Sequence, residues 1–315
     1  IGAGISGIMA AKMAAKNNFN TFLLDEKNEI GGTTIYQNSD HFKIDNEVSA
    51  EWLKNQINEL KKFKNLQIKT RTSVAAYHGY NYLLARENLT DHLSKSEKQQ
   101  KIRQRLLKIR AKKVIVATGS LERPLIFNNN DRPGIMLSSA IKKYADYYGV
   151  ACGVNNVLFT NNDTAYESAF SLINKGINVK AIIDIRENSD SSIVKEAKKQ
   201  GVKIYRSHTV VDTFGYKKIK EISIMELSKD GKSTVGEEIK IKCDCLGLAG
   251  GWTPAVHLFT QSGGKLKFRE EDEVFVPNKY PSNQISIGSC NGDFELDNII
   301  KNCSTKLKEF LKVDN

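Results

Sequence analysis

Apolar residues along this chain follow two periods in turn. "IMAAKMAAK" (Ile8–Lys16) has helical composition, and "TFLLDE" (Thr21–Glu26) is a short apolar run that ends in two acids. "TRTSVAAY" (Thr70–Tyr77) is rich in β-formers, and "AKKVIVATGS" (Ala111–Ser120) carries a buried strand into a turn of small residues. Between Asn155 and Ile185 the apolar strands "VLF" and "VKAIIDI" flank a helical stretch, which predicts β-α-β. "SSIVKEAKKQGVKIYRSHTVVDTFG" (Ser191–Gly215) adds a helix and a strand. "KIKEISIMEL" and "EEIKIKCDCLGLAGG" alternate as strands of a meander. The end, "ISIGSCNGDFELDNIIKN" (Ile285–Asn302), is again strand, glycine turn and helix. Strands alternating with helices in this way predict an α/β fold with two doubly wound units.

The first unit carries a phosphate-binding pattern. "GAGISG" (Gly2–Gly7) fits G-x-G-x-x-G: Gly2 for the tight turn, Gly4 for close approach of a pyrophosphate, Gly7 for helix–strand packing. The helix that follows aims its free N–H groups and positive dipole end at the phosphates. Asp25 comes eighteen residues after Gly7, with Glu26 next. Carboxylates there accept from a ribose diol and repel a 2′-phosphate, favouring NAD or FAD over NADP. "EIGGTT" (Glu29–Thr34) brings Gly32 and Thr33 close to the cofactor, the backbone at Val74 reads the adenine edge, and Thr118 and Gly119 in "ATG" permit another close approach. The chain opens on the fingerprint with only Ile1 before it, so we expect a strand upstream.

The second unit lacks this chemistry. Its turn, Thr160-Asn161-Asn162-Asp163-Thr164, has no glycine and places a carboxylate where phosphates would sit. We expect it not to bind NAD(P)H in the usual way. Cys243 and Cys245 form C-x-C rather than a redox-active C-x-x-C, and His41, His78, His92, His208 and His257 make no ligand pair, so neither a metal site nor a catalytic residue is expected.

Composition narrows the partners. The net charge is +11, yet no nucleic-acid-binding motif accompanies it, so the excess reads as a lysine-rich solvated surface. The densest basic run, "KIRQRLLKIRAKK" (Lys101–Lys113), suits a strand pair with one wet face. No apolar run is long enough to cross a membrane, and five scattered cysteines predict reduced thiols in a cytoplasmic compartment.

"GSLERPLIFNNNDRPGIMLSSA", "VLFTNNDTAY", "LAGGWTPAVHLFTQSGGKL" and "RTSVAAYHGYNYLLARENLTDHL" resemble the α subunits of heterotetrameric sarcosine oxidases, through essentially the whole chain. The resemblance implies two Rossmann-like, glutathione-reductase-like units, the second inserted in the first, with small β-meanders. The first would comprise residues 1–120 and 266–315, the second 121–265. The upstream strand and a C-terminal folate-binding domain would lie outside this chain. It implies a complex with β, γ and δ subunits that demethylates sarcosine to glycine and hydrogen peroxide, sending the one-carbon unit to tetrahydrofolate or formaldehyde. NAD would be held in the first unit without carrying hydride, FMN at the β-subunit boundary, and FAD in the β subunit. By position, Ser6 falls in the glycine turn, Asp25, Glu26 and Lys27 at the ribose, Thr33 in the next loop and Val74 by the adenine. Ser289, Phe294 and Leu296 fall in the late covering segment. The loop Asn128–Gly134, through Arg132, is expected at the partner or FMN boundary. Three other readings remain: a self-contained FAD-dependent NAD(P)H oxidoreductase, the α subunit of a related amine or proline dehydrogenase complex, and a cofactor-free scaffold. NAD and FAD place adenosine and pyrophosphate alike, so the residues do not separate them.

Overall fold

The structure, a computed structural model, describes residues 1–37, 43–44, 47–98 and 101–313. His41 therefore lies outside the described residues. The chain divides into two compact units, Ile1–Leu121 with Thr253–Asn315, and Glu122–Trp252. Residues 253–265, placed in the second unit by sequence, group with the first. Two long-range hydrogen bonds tie them there: the Thr118 hydroxyl donates to Ala255 O at 2.8 Å, and Tyr77 N–H donates to Gln261 Oε1 at 3.1 Å.

In the first unit, helix α1 (Ile5–Lys16) leads to strand β1 (Thr21–Leu24). After α2 (Ser49–Leu60), β2 (Leu66–Lys69) pairs parallel with β1, Leu24 beside Lys69. Strands β3 (Thr72–His78), β4 (Tyr82–Asn88) and β5 (Gln104–Arg110) form an antiparallel meander, with Val74 opposite Ala85. The basic run Lys101–Lys113 thus supplies one strand, β5, whose partner is β4, rather than a pair of its own. β6 (Val114–Val116) returns to the glycine turn. Ile1 N donates to Ile115 O at 2.7 Å and Gly2 N to Leu24 O at 2.8 Å, so the first two residues bridge β6 and β1. Ala3, Ile8, Ala11, Leu23, Trp52 and Leu53 fill the core beneath that turn.

The second unit is a five-stranded parallel sheet. After β7 (Ile135–Leu137) and α3 (Ser138–Tyr148) come β8 (Asn155–Thr160), α4 (Thr164–Asn174), β9 (Asn178–Asp184), α5 (Ser192–Lys199) and β10 (Ile204–Arg206). The meander β11 (His208–Phe214), β12 (Glu221–Leu227) and β13 (Thr234–Lys242) follows. β14 (Cys245–Ala249) then enters the parallel sheet between β7 and β8, where the sequence pattern had put it in the meander. The period-2 rule explains the two cores. Val157 and Phe159 pack toward the meander with Ile222 and Ile224, while Leu158 packs with Ala165, Tyr166 and Ala169 of α4. Arg132 is consumed inside this unit: its guanidinium donates to Thr213 Oγ1, Thr213 O and Gly215 O, anchoring the Asn128–Gly134 loop to β11.

The chain returns to the first unit through α6 (His257–Gln261) and the hairpin β15 (Lys265–Arg269) and β16 (Val274–Lys279). β17 (Gln284–Ser286) pairs parallel with β6, and α7 (Leu296–Leu311) packs on α1 through Ala10, Ile299, Cys303 and Leu307. Among the described residues no helix is long and apolar enough to cross a membrane.

Candidate nucleotide site

The first turn is built on close backbone approaches. A Cβ on Gly7 would stand 1.8 Å from Gly2 O, and one on Gly2, at φ +92°, would stand 2.3 Å from Ala117 O. These two glycines are required by the protein's own packing. Gly4 is different: a Cβ there would find only Gly32 Cα, at 3.9 Å. The protein does not need glycine at that position, but a pyrophosphate lying on the backbone does. Gly32 faces it at φ +62°, and a Cβ on Gly32 would come within 2.8 Å of Gly4 Cα. The next loop is tied down by Gly31 N–H donating to Ala3 O at 2.7 Å, and Thr33 beyond it is exposed. α1 begins at Gly4 with no side-chain cap and no acid in its first turn. Its leading N–H groups and dipole are thus left for an anion.

At the end of β1 the two acids divide their work. Asp25 Oδ2 accepts from Ala3 N at 2.6 Å and Oδ1 from Lys27 N at 2.8 Å. Asp25 clamps the glycine turn to the strand end. Glu26 is exposed, Lys27 is half-buried, and Thr72 N–H donates to Asp25 O at 2.8 Å, bringing β3 and hence Val74 to the same end. Of the two carboxylates, only that of Glu26 lies exposed.

The remaining expected residues are partly turned inward. Ser6 is buried and lies so close to Gly288 that a Cβ there would be 2.1 Å from Ser6 Oγ. Its hydroxyl is turned toward the Gly288 turn. Burial pushes the Cys303 thiol up, and the nearby Ser6 hydroxyl partly offsets that. The Thr118 hydroxyl is spent on Ala255, and Gly119, at φ +75°, accepts from Ala255 N. Ser289 lies half-buried in the 3₁₀ turn Gly288–Asn291, and Phe294 lies under the Arg269 guanidinium, 5.9 Å from the ring centre. Leu296 packs on the Ala3–Ile8 core. Sequence reasoning missed Ala3 and Gly288. Ala3 acts through its amide, which no residue type advertises, whereas the glycine of "IGSC" was visible.

The second turn is filled by its own side chains. Read on G-x-G-x-x-G/A, Thr160 and Asn162 replace the first two glycines and Ala165 keeps the third position. The Asn162 amide donates to Ala249 O at 2.9 Å, and its Oδ1 accepts from Thr164 N at 3.0 Å, closing the turn ahead of α4. Thr160 Oγ1 donates to Asn162 O at 2.7 Å. Cys243 and Cys245 are buried, and burial pushes both thiols up to about 12, so neither is a ready thiolate. No cluster of three or more metal-ligating side chains exists among the described residues.

Residues 1–285 match the family model described as pyridine nucleotide-disulphide oxidoreductase. The chain belongs to this family. It is 35% identical over 297 residues to the sarcosine oxidase subunit alpha of Corynebacterium sp. (strain P-1), covering 94% of this chain and 30% of that protein. The chain spans about a third or less of the length of the curated relatives it matches, 30%, 30% and 26%. Among solved structures, L-proline dehydrogenase from P. horikoshii superimposes with a TM-score of 0.72 at 21% identity, over 100% of this chain and 55% of that one. Thioredoxin reductase from T. acidophilum gives 0.71 at 18% identity, over 99% and 96%. Both likenesses establish the fold. The family is named for a disulphide chemistry, yet all five cysteines here are free.

Proposed function

We propose that this chain is the nucleotide-holding core of a sarcosine oxidase-type α subunit, with NAD bound at the Gly2–Gly7 turn and no hydride transfer of its own. The contrast between the two turns carries the reading. One offers an uncapped helix start beneath a glycine with a free face, and an exposed acid at the strand end. The other is packed with its own side chains. NAD held at the first would be gripped by the N–H groups of Ile5, Ser6 and Gly7, with Glu26 on the ribose, Val74 by the adenine, and Thr33, Ser289 and Phe294 on the covering loops. Bound there, NAD is a structural group rather than the reaction's electron carrier.

The likeness to a sarcosine oxidase subunit alpha supports the wider assignment. In it, β, γ and δ subunits complete the assembly, with FAD in the β subunit, FMN at its boundary with this chain, and tetrahydrofolate in a separate domain of the α subunit. The complex would oxidise sarcosine to glycine with hydrogen peroxide. Arg132, already committed within its unit, is withdrawn from the FMN boundary. Co-expression of the full-length chain with its partner subunits tests the assignment. Sarcosine-dependent oxygen uptake with stoichiometric peroxide is expected. Turnover of L-proline and not sarcosine would move the chain to a related dehydrogenase complex.

A further inference from the structure

Asp184 ends β9, the place where a doubly wound unit presents its acid to a ribose. In this chain it is fully buried and saturated. Oδ1 accepts from Arg186 N at 3.0 Å and Arg186 Nε at 2.9 Å. Oδ2 accepts from Tyr166 Oη at 2.8 Å and Arg186 Nη2 at 2.8 Å. A carboxylate offers about four lone-pair sites, and all are taken. The same Nη2 makes a 2.8 Å ion pair with Asp163 Oδ1, in the β8–α4 turn. One guanidinium therefore spans from the phosphate turn to the ribose acid. Asp25 in the first unit accepts two backbone donors and is followed by an exposed acid, whereas Asp184 is followed by Ile185, half-buried, and by Arg186 itself.

We propose that Arg186 is an internal lock on the second unit. Its guanidinium takes the place, between turn and strand end, that the phosphate–ribose segment of a dinucleotide takes in a competent unit. The missing glycines are then only half of the reason for exclusion. Restoring them leaves the ribose acid saturated by the Arg186 fork, and the gap bridged by the ion pair from the same guanidinium to Asp163. The lock also explains why Asp163 is tolerated in a turn where it would face phosphate: its charge is neutralised from across the gap.

The test is equilibrium binding of NADPH and NADH to the full-length chain in its assembly, with the resident nucleotide left in place. Four proteins are compared: unaltered, Thr160→Gly with Asn162→Gly, Arg186→Ala, and all three changes together. The lock predicts no added dinucleotide on the unaltered protein or the glycine variant up to about 1 mM, and at least about tenfold tighter binding for the triple variant than for the glycine variant. Arg186→Gln in the glycine background, which keeps an amide donor for Asp184 but is too short to bridge to Asp163, is run beside it with circular dichroism; it should also gain binding if the alanine form fails to fold. Binding by the glycine variant equal to that of the triple variant would overturn the proposal. So would folded triple or glutamine variants that stay closed, or a second dinucleotide on the unaltered protein.

Discussion

Removing the Asp25 carboxylate should damage the turn before it damages ligand contact. Asp25→Ala leaves the N–H groups of Ala3 and Lys27 without the acceptors they now hold at 2.6 and 2.8 Å. Hydrogen bonds to a charged group contribute about 1.5–3 kcal/mol each. Asp25 is only half-buried, so water recovers part of that, and the low end gives about 3 kcal/mol for the pair. In a unit of this size 1 kcal/mol shifts Tm by about 2–4 °C, so a fall of roughly 6–12 °C is expected. Asp25→Asn keeps one acceptor oxygen and should lose about half as much. Glu26→Gln changes an exposed side chain and should alter stability by no more than about 0.5 kcal/mol, yet release the nucleotide. Bound ligand stabilises by mass action, so the melts are run on nucleotide-stripped protein and nucleotide content is measured separately. A stripped Asp25→Ala protein that melts within a degree or two of the parent, or Glu26→Gln that keeps its nucleotide, would refute the division of labour.

Three further outcomes follow from the geometry. Gly7→Ala, with its Cβ 1.8 Å from Gly2 O, should abolish nucleotide retention and soluble yield, whereas Gly119→Ala, with open space around it but φ +75°, should cost only about 1–3 kcal/mol of backbone strain. Burial raises the Glu122 carboxyl, with hydrogen bonds from Ser139 and Ser138 offsetting part of it. Its charged form is therefore disfavoured in the fold: stability is full below the ordinary glutamate range and falls as pH rises through the raised value. Glu122→Gln should then raise Tm at pH 7–8 and match the parent near pH 4, and a difference independent of pH would contradict this. Tyr166→Phe removes one of four donors to the buried Asp184 and should cost about 1–3 kcal/mol in urea unfolding.

Much of this was legible in the chain. The apolar runs "TFLL" and "VLF" announced both doubly wound units and the glycine spacing the phosphate turn of the first, because buried parallel strands and phosphate turns tolerate few residue types. Asp25 and Glu26 looked interchangeable, since a carboxylate's partner can be a backbone amide that carries no residue signature. Ser6 looked like part of the cofactor turn, but its inward path depends on Gly288 and Cys303, about three hundred positions away. β14 looked like a meander strand because alternation does not tell which sheet a strand joins; "CLGLA" is buried on every residue, which is the mark of the parallel sheet. The boundary at 253–265 depended on two long-range bonds accepted by Ala255 and Gln261, which composition does not encode.

The central claim is that the Gly2–Gly7 turn holds NAD. The direct measurement is to denature the purified chain and identify the released nucleotide by mass and absorbance. The account predicts one NAD⁺ per chain, lost in Glu26→Gln, with no flavin absorbance. FAD released from the unaltered chain, or no nucleotide at all, would contradict it.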